Sequence, residues 1–184
     1  MRKRAGVLLL ALAALPAVAG QVLPAQGSVE VAFSPADDPE SVLLGVIGAA
    51  RRTLHVQAYI FTSRKLAAAL IEAHRRGVKV EVLADAEMHK RGRNALPQLL
   101  EAGIPVAFET GYAAAHNKVL IADAAGPGCA VATGSYNYTW SARERNAENL
   151  LVLRNHCPLA QTYLRNWQRH REAATLVRSL PWKP

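Results

Sequence analysis

The chain has 184 residues, room for one domain of ordinary size and marginal for two. Hydrophobic residues make up 51 % and charged ones 20 %, which excludes wholesale disorder and collagen-like repeats; two cysteines without CxxC spacing exclude a disulfide-scaffold mini-protein and fit no zinc motif. The net charge of +8, from 22 Lys+Arg against 14 Asp+Glu, suits an anionic partner: nucleic acid, acidic lipid or a phosphate-bearing substrate.

The N-terminus reads as a secretory signal. Arg2, Lys3 and Arg4 form a positive n-region, Ala5 to Leu15 is apolar, and Pro16 precedes the small-residue triplet Ala17-Val18-Ala19. The apolar run is shorter than the ~20 residues of a spanning helix, so cleavage after Ala19 is expected rather than a retained anchor. Losing those three cations takes +8 to +5. The mature protein is expected in a periplasm or outside the cell, without stable insertion in a membrane. An oxidising compartment lets Cys129 and Cys157 pair; the alternative is two small buried hydrophobes.

A Pro/Gly linker follows (residues 20–28), and then periods of two and of 3.6 alternate. Val29 to Phe33 predicts a strand and Ser41 to Arg52 a helix, with Asp37, Asp38 and Glu40 at its positive end. Leu54 to Phe61 is a strand, Arg64 to Arg76 a helix stopped by Gly77, and Val78 to Leu83 a cleanly alternating strand. Asn94 to Ala102 is a short helix and Ile104 to Phe108 a strand. His116 to Ala122 and Ala130 to Thr133 are strands joined by a connection carrying the turn Gly126-Pro127-Gly128, which implies an antiparallel pair. A helical segment from Tyr138 to Arg145, a strand from Glu148 to Leu153 and a closing helix from Pro158 to Thr175 complete the chain. In that last helix Leu159, Tyr163, Leu164 and Trp167 form an inward stripe, read as core. The fold class is α/β: a mixed β-sheet flanked by helices, one domain over residues 29–176, with a tail at 177–184.

Chemistry concentrates in two short stretches and one acidic residue. His116 and Lys118 are two apart on a strand and share a face, an imidazole beside an ammonium. Asp123 is five beyond Lys118, so it faces the other side or lies past the strand end. Gly134-Ser135-Tyr136-Asn137 sits where a strand gives way to a helical segment. Backbone N–H groups there, the Ser135 hydroxyl and the Asn137 amide can bind an anion, and Ser135 can also serve as a cap. Together these make a phosphate site containing a histidine.

HxK(x)4D followed by GSxN resembles the motif of the phospholipase D superfamily, and "VEVAFSP" (29–35) and "QAYIFTS" (57–63) resemble it too, so the similarity runs from Val29 to Leu153. The resemblance puts His116, Lys118 and Asp123 at the HKD positions, Gly134, Ser135 and Asn137 at the GSxN positions, and Glu148 at the following acidic position. The ten residues from Ala124 to Thr133 make a longer connection than the family usually has. A single motif implies a Nuc-type endonuclease that homodimerises so that two copies face one phosphorus. By that resemblance His116 of one subunit attacks phosphorus and the other subunit's His116 protonates the leaving oxygen and then activates water. Lys118, Ser135 and Asn137 hold the non-bridging oxygens. Glu148 bonds the second ring nitrogen of His116, or serves in a salt bridge only, and Asp123 is a structural partner more than a chemical one.

No metal or other cofactor is implied. Lys90, Arg91 and Arg93 follow a strand end, and Arg143 and Arg145 follow GSxN; these can track a nucleic-acid backbone. Arg51-Arg52, Arg75-Arg76 and Arg169 to Arg171 read as solvated faces. His55, His74, His89, His156 and His170 read as structural or surface residues. No aromatic-rich basic groove is evident. The expected activity is cleavage of DNA, with RNA as a further substrate, without sequence specificity and without metal. A phospholipase D acting on phosphatidylcholine-like lipids is the alternative enzyme, and a non-catalytic binder of phosphate-bearing polymers the alternative of another class.

Overall fold

The computed structural model describes residues 20–90 and 93–178. The expected signal peptide, Arg91 and most of the expected tail lie outside the described residues. In chain order the elements are β1 (Ser28–Ser34), α1 (Pro39–Ala49), β2 (Thr53–Ala58), α2 (Arg64–Arg75), β3 (Lys79–Asp85), α3 (Ala86–His89), α4 (Leu96–Glu101), β4 (Val106–Glu109), β5 (Lys118–Ala122), β6 (Ala130–Gly134), α5 (Trp140–Glu144), β7 (Glu148–Arg154), α6 (Cys157–Ala173) and β8 (Thr175–Leu176).

The eight strands form one sheet in the order β1-β7-β6-β5-β2-β3-β4-β8. Only β2, β3 and β4 run parallel, joined through helices; the remaining pairs are antiparallel. The mixed sheet read from the hairpin at Gly126 to Gly128 is therefore present. Period-two alternation divides each central strand between two cores. In β5, Leu120 and Ala122 enter the core shared with Leu43, Leu70 and Leu99 of α1, α2 and α4, while Val119 and Ile121 enter the one shared with Ala160 and Trp167 of α6. The Trp167 indole donates to the Val56 carbonyl at 2.9 Å, so this ring is core, as the stripe reading held.

Local chemistry sets the helix starts. Asp38 accepts from the N–H of Ser41 at 3.2 Å and opens α1. Ser63 accepts from the N–H of Leu66 and donates to the buried Glu40 carboxylate at 2.5 Å, tying α2 to α1. Two elements lie outside the sequence expectations. The α3 turn follows Asp85, whose carboxylate caps it at Met88. The two-residue β8 pairs with β4 where the last helix was expected to continue to Thr175.

Cys129 and Cys157 form a disulfide across 28 residues, joining the start of β6 to α6. Cross-linking a loop of that length lowers unfolded-chain entropy, so reduction should cost about 3–4 kcal/mol. Urea denaturation with and without a reductant measures this; coincident midpoints would contradict it.

His89 has a structural task. It is fully buried, its Nε2 accepts from the N–H of Phe61 at 3.1 Å, and its Nδ1 lies 2.8 Å from the Asp85 carbonyl. Burial holds its pKa below the ordinary 6.5, against the opposing pull of Asp85. The folded state therefore refuses a proton that the unfolded chain binds below about pH 6.5. Stability from this residue is complete above that pH and declines as pH falls toward the lowered folded value. The urea midpoint should fall between about pH 7.5 and about pH 5, on either side of ~6.5, and a His89→Gln variant should lose part of that fall.

Candidate active site

The parallel strands β2, β3 and β4 end at the edge of the sheet where β5 and β7 begin and β6 ends. Register makes this concrete. Ala58 of β2 pairs with Lys118, Val119 pairs with Thr133, Gly134 pairs with Leu150, and Ser34 of β1 pairs with Glu148. Lys118, Gly134 and Glu148 are thereby gathered at one end by topology alone. Asp123 is not. Its N–H donates to the carbonyl of Thr53, at the start of β2, about 16 Å along the strand from Lys118.

His116 is exposed and stands just before β5 rather than inside it. β2 ends at Ala58, so no partner strand remains for residues 116 and 117. The approach is held instead by Asp85, whose carboxylate accepts from the N–H of Ala115 at 2.7 Å. The imidazole packs against the Tyr59 ring with centroids 4.2 Å apart. Lys118 is buried; its ammonium donates to the His116 carbonyl at 2.6 Å, stands 2.9 Å from His116 Nδ1 and lies 4.6 Å from the Tyr59 centroid. Burial lowers the Lys118 pKa, and the Glu148 charge opposes that shift. His116 and Lys118 thus meet, although His116 lies outside the strand whose alternation was expected to pair them.

The GSxN segment departs from its expected form. The helix begins only at Trp140, with Thr139 as its cap, so residues 134–137 are not a helix N-terminus. The N–H groups of Ser135 and Tyr136 both donate to the Asn149 carbonyl, at 3.1 and 3.2 Å, and are spent on the fold rather than presented to an anion. Gly134 has φ +153°, and a Cβ there would come within 2.3 Å of the Asn149 carbonyl oxygen; its task is to let β6 and β7 approach. The side chains retain their expected capacity. Both acceptor positions of the Ser135 hydroxyl are taken by Asn149, at 3.0 and 3.2 Å, which leaves its hydrogen as a donor. Among the described residues the Asn137 carboxamide oxygen is buried without a hydrogen-bond partner; being an acceptor, it leaves any bond to a phosphoryl oxygen to the amide hydrogens.

Other expectations need correction. Glu148 does not bond His116; it accepts from the Asn146 amide at 2.9 Å, while Nδ1 of His116 faces Lys118. Asp123, in the expected catalytic set by motif, accepts from the N–H groups of Arg51, Arg52 and Thr53 at 2.8, 2.7 and 2.8 Å, which is the structural task its spacing implied. Arg143 is not free for a nucleic-acid backbone: it binds Asp38, Glu40 and Glu144 within 3.4 Å. Lys90 is paired with Glu87. Arg93 is exposed, and Arg145 lies over the Trp140 ring.

Sequence reasoning assigned no role to Tyr59 or Asp85, although "QAYIFTS" contains the first. It also left His170 as a structural or surface residue. His170 Nδ1 lies 2.5 Å from the buried Glu109 carboxylate, which also accepts from Gln57, and its ring stacks on Tyr112 in the loop leading to His116. Period-two alternation places Gln57 on that face, but the chain separation hides the cluster. Among the described residues no three or more His, Cys, Asp or Glu side chains converge as a metal-ligand set, and no helix is long and apolar enough to cross a membrane.

An exposed imidazole with an ammonium at its side, and neutral donors on the same strand ends, is equipped to act on a phosphoryl centre. The class that fold and site define is a phosphodiesterase. Residues 43–171 match the family described as "Cardiolipin synthase, PLD-like domain". The phospholipase D of Rickettsia prowazekii is 37 % identical over 142 residues, 77 % of this chain and 67 % of that one. Among solved structures, Nuc from Salmonella typhimurium, described as a phospholipase D family member, superposes with a TM-score of 0.76 at 32 % identity, covering 83 % of this chain and 99 % of that one. NucT from Helicobacter pylori shares the fold, with a TM-score of 0.72 at 22 % identity over 80 % of this chain and 98 % of that one. The chain belongs to the phospholipase D superfamily and carries one copy of its motif.

Proposed function

We propose that this phosphodiesterase is an exported endonuclease that cleaves DNA, and RNA by the same chemistry, using two copies of His116 across a homodimer. The observation that carries the reading is the pairing of an exposed His116 ring with the buried Lys118 ammonium at the strand ends that also carry Ser135 and Asn137. Nε2 of one His116 attacks phosphorus, forming a P–N bond as the P–O bond to the leaving alcohol breaks. The partner subunit's His116, carrying a proton, delivers it to that oxygen. It then takes a proton from water, whose oxygen displaces the imidazole and breaks the P–N bond. Lys118 offsets the phosphoryl charge, and the Ser135 hydrogen and the Asn137 amide bond the non-bridging oxygens.

The tautomers of the two rings must differ. Donation from Lys118 to Nδ1 leaves the hydrogen of a neutral ring on Nε2, so a ring in that state cannot attack; the copy that gives a proton is the imidazolium, which returns to a neutral ring as it does so. The attacking copy needs a bare Nε2, hence a hydrogen on Nδ1 and an acceptor for it.

Dimerisation is supported by an exposed apolar strip. Val29, Val31 and Phe33 of β1, 62 %, 52 % and 54 % exposed, lie with Leu151 on the sheet face that α6 leaves open. Phe33 pairs with Asn149 and Ser34 with Glu148, so the strip runs up to the active edge. A second copy burying it would bring two active edges together.

The names of relatives divide between phospholipase D and Nuc. The net charge of +5 left after the expected signal cleavage (+8 less the three cations Arg2, Lys3 and Arg4), and exposed Arg93 and Arg145 on or beside the active edge, favour a polyanion over a zwitterionic lipid. Export belongs to the proposal, and the disulfide suits an oxidising compartment. Incubation with plasmid in EDTA should produce nicked circles. Choline release from phosphatidylcholine vesicles without nicking would move the assignment to the lipid.

A further inference from the structure

The short helix α5 bridges the two halves of the site. Its first residue, Trp140, follows Asn137 by three positions, and its end leads through Arg145 and Asn146 to Glu148, which the Asn146 amide bonds. Trp140 is 56 % exposed, whereas Trp167 is 3 % exposed inside the core. The Arg145 guanidinium lies 4.8 Å from the Trp140 ring centroid and has no carboxylate partner among the described residues. Neighbouring Arg143, by contrast, is fully engaged with Asp38, Glu40 and Glu144.

An open indole face with an unpaired guanidinium against it has the chemistry of a nucleotide subsite. The ring accepts a nucleobase by stacking, and the guanidinium edge accepts the adjoining phosphate. Stacking needs a base whose face is free. In a duplex both faces of each base are covered by neighbours, whereas a single strand offers them at no unstacking cost. We propose that Trp140 and Arg145 form a stacking subsite beside the phosphoryl site, which makes unpaired nucleic acid the preferred substrate. This rests on the nuclease reading and specifies which form of nucleic acid the site takes.

The experiment compares a short oligothymidylate with a duplex under single-turnover conditions, using wild type, Trp140→Ala and Trp140→Phe. The wild type should favour the single strand. Trp140→Ala should lose about tenfold of that preference, within the range of one stacked base, and Trp140→Phe should keep most of it. Oligothymidylate should quench tryptophan emission in the wild type, and Trp140→Phe should lose the quenching while still binding. A preference unchanged in Trp140→Ala, equal loss on both substrates, or quenching that survives in Trp140→Phe overturns the subsite while leaving the nuclease assignment standing. Cleavage of neither nucleic acid, with a blue shift of Trp140 emission on phosphatidylcholine vesicles, overturns both and makes the indole a lipid-interface anchor.

Discussion

Replacing His116 with alanine should lower phosphodiester hydrolysis by roughly four orders of magnitude, with no change in thermal midpoint. The residue supplies both the nucleophile and the proton donor, so the loss exceeds that of any neighbouring substitution. His116 is exposed, and among the described residues its ring packs against Tyr59 and meets the Lys118 ammonium, which is why the fold should survive its removal. The dimer adds a quantitative consequence. Co-refolding equal amounts of wild type and His116→Ala leaves about one quarter of dimers with two imidazoles, so activity should fall to about a quarter of the wild-type value. A fall to half would mean that each protomer works alone, and the two-histidine scheme would be abandoned.

Asp123→Ala should do the opposite: large damage to stability and little to chemistry. The carboxylate accepts three backbone N–H groups at the junction of α1 and β2, within 2.8 Å, and is buried. Removing it leaves three backbone donors without their acceptor at a part-buried site, a cost of about 3–5 kcal/mol and a fall in thermal midpoint of about 10 °C. Asp123→Asn should also destabilise, because an amide NH₂ would face the same donors that one of the carboxylate oxygens now satisfies. At a temperature where the variant is folded, its turnover should stay within a few-fold of wild type, since about 16 Å of strand separates it from Lys118. Loss of turnover in Asp123→Asn without loss of stability would return this residue to the chemistry. The comparison matters because the motif spells His116, Lys118 and Asp123 together, whereas the strand carries the third to the other end of the sheet.

Much of the site was legible in residue order. The order of the motif put His116 beside Lys118, although His116 stands outside the strand, and within β5 the two-residue period pushed Asp123 away. The hairpin turn at Gly126 to Gly128 implied an antiparallel β5–β6 pair and so a mixed sheet. The α6 stripe implied a buried Trp167. What residue order left open involved partners distant in the chain. Whether Glu148 or Lys118 meets Nδ1 of His116 depends on side-chain directions on two strands that are not neighbours in the sheet. The fate of the Ser135 and Tyr136 N–H groups depended on Asn149, which reaches them only because Gly134 lets β7 come close. Arg143 looked like a free cation until α5 folded back onto Asp38 and Glu40, and the exposure of Trp140, to which residue order gave no role, was decided by the same fold.

The amino-acid order alone determined the α/β class, the motif and the nearness of His116 to Lys118, because local periodicity and turn chemistry act within a few bonds. The tertiary structure alone decided which donors remain available to a phosphate, which cations are already neutralised and which aromatic is open, because each depends on a partner brought in by sheet order from far along the chain.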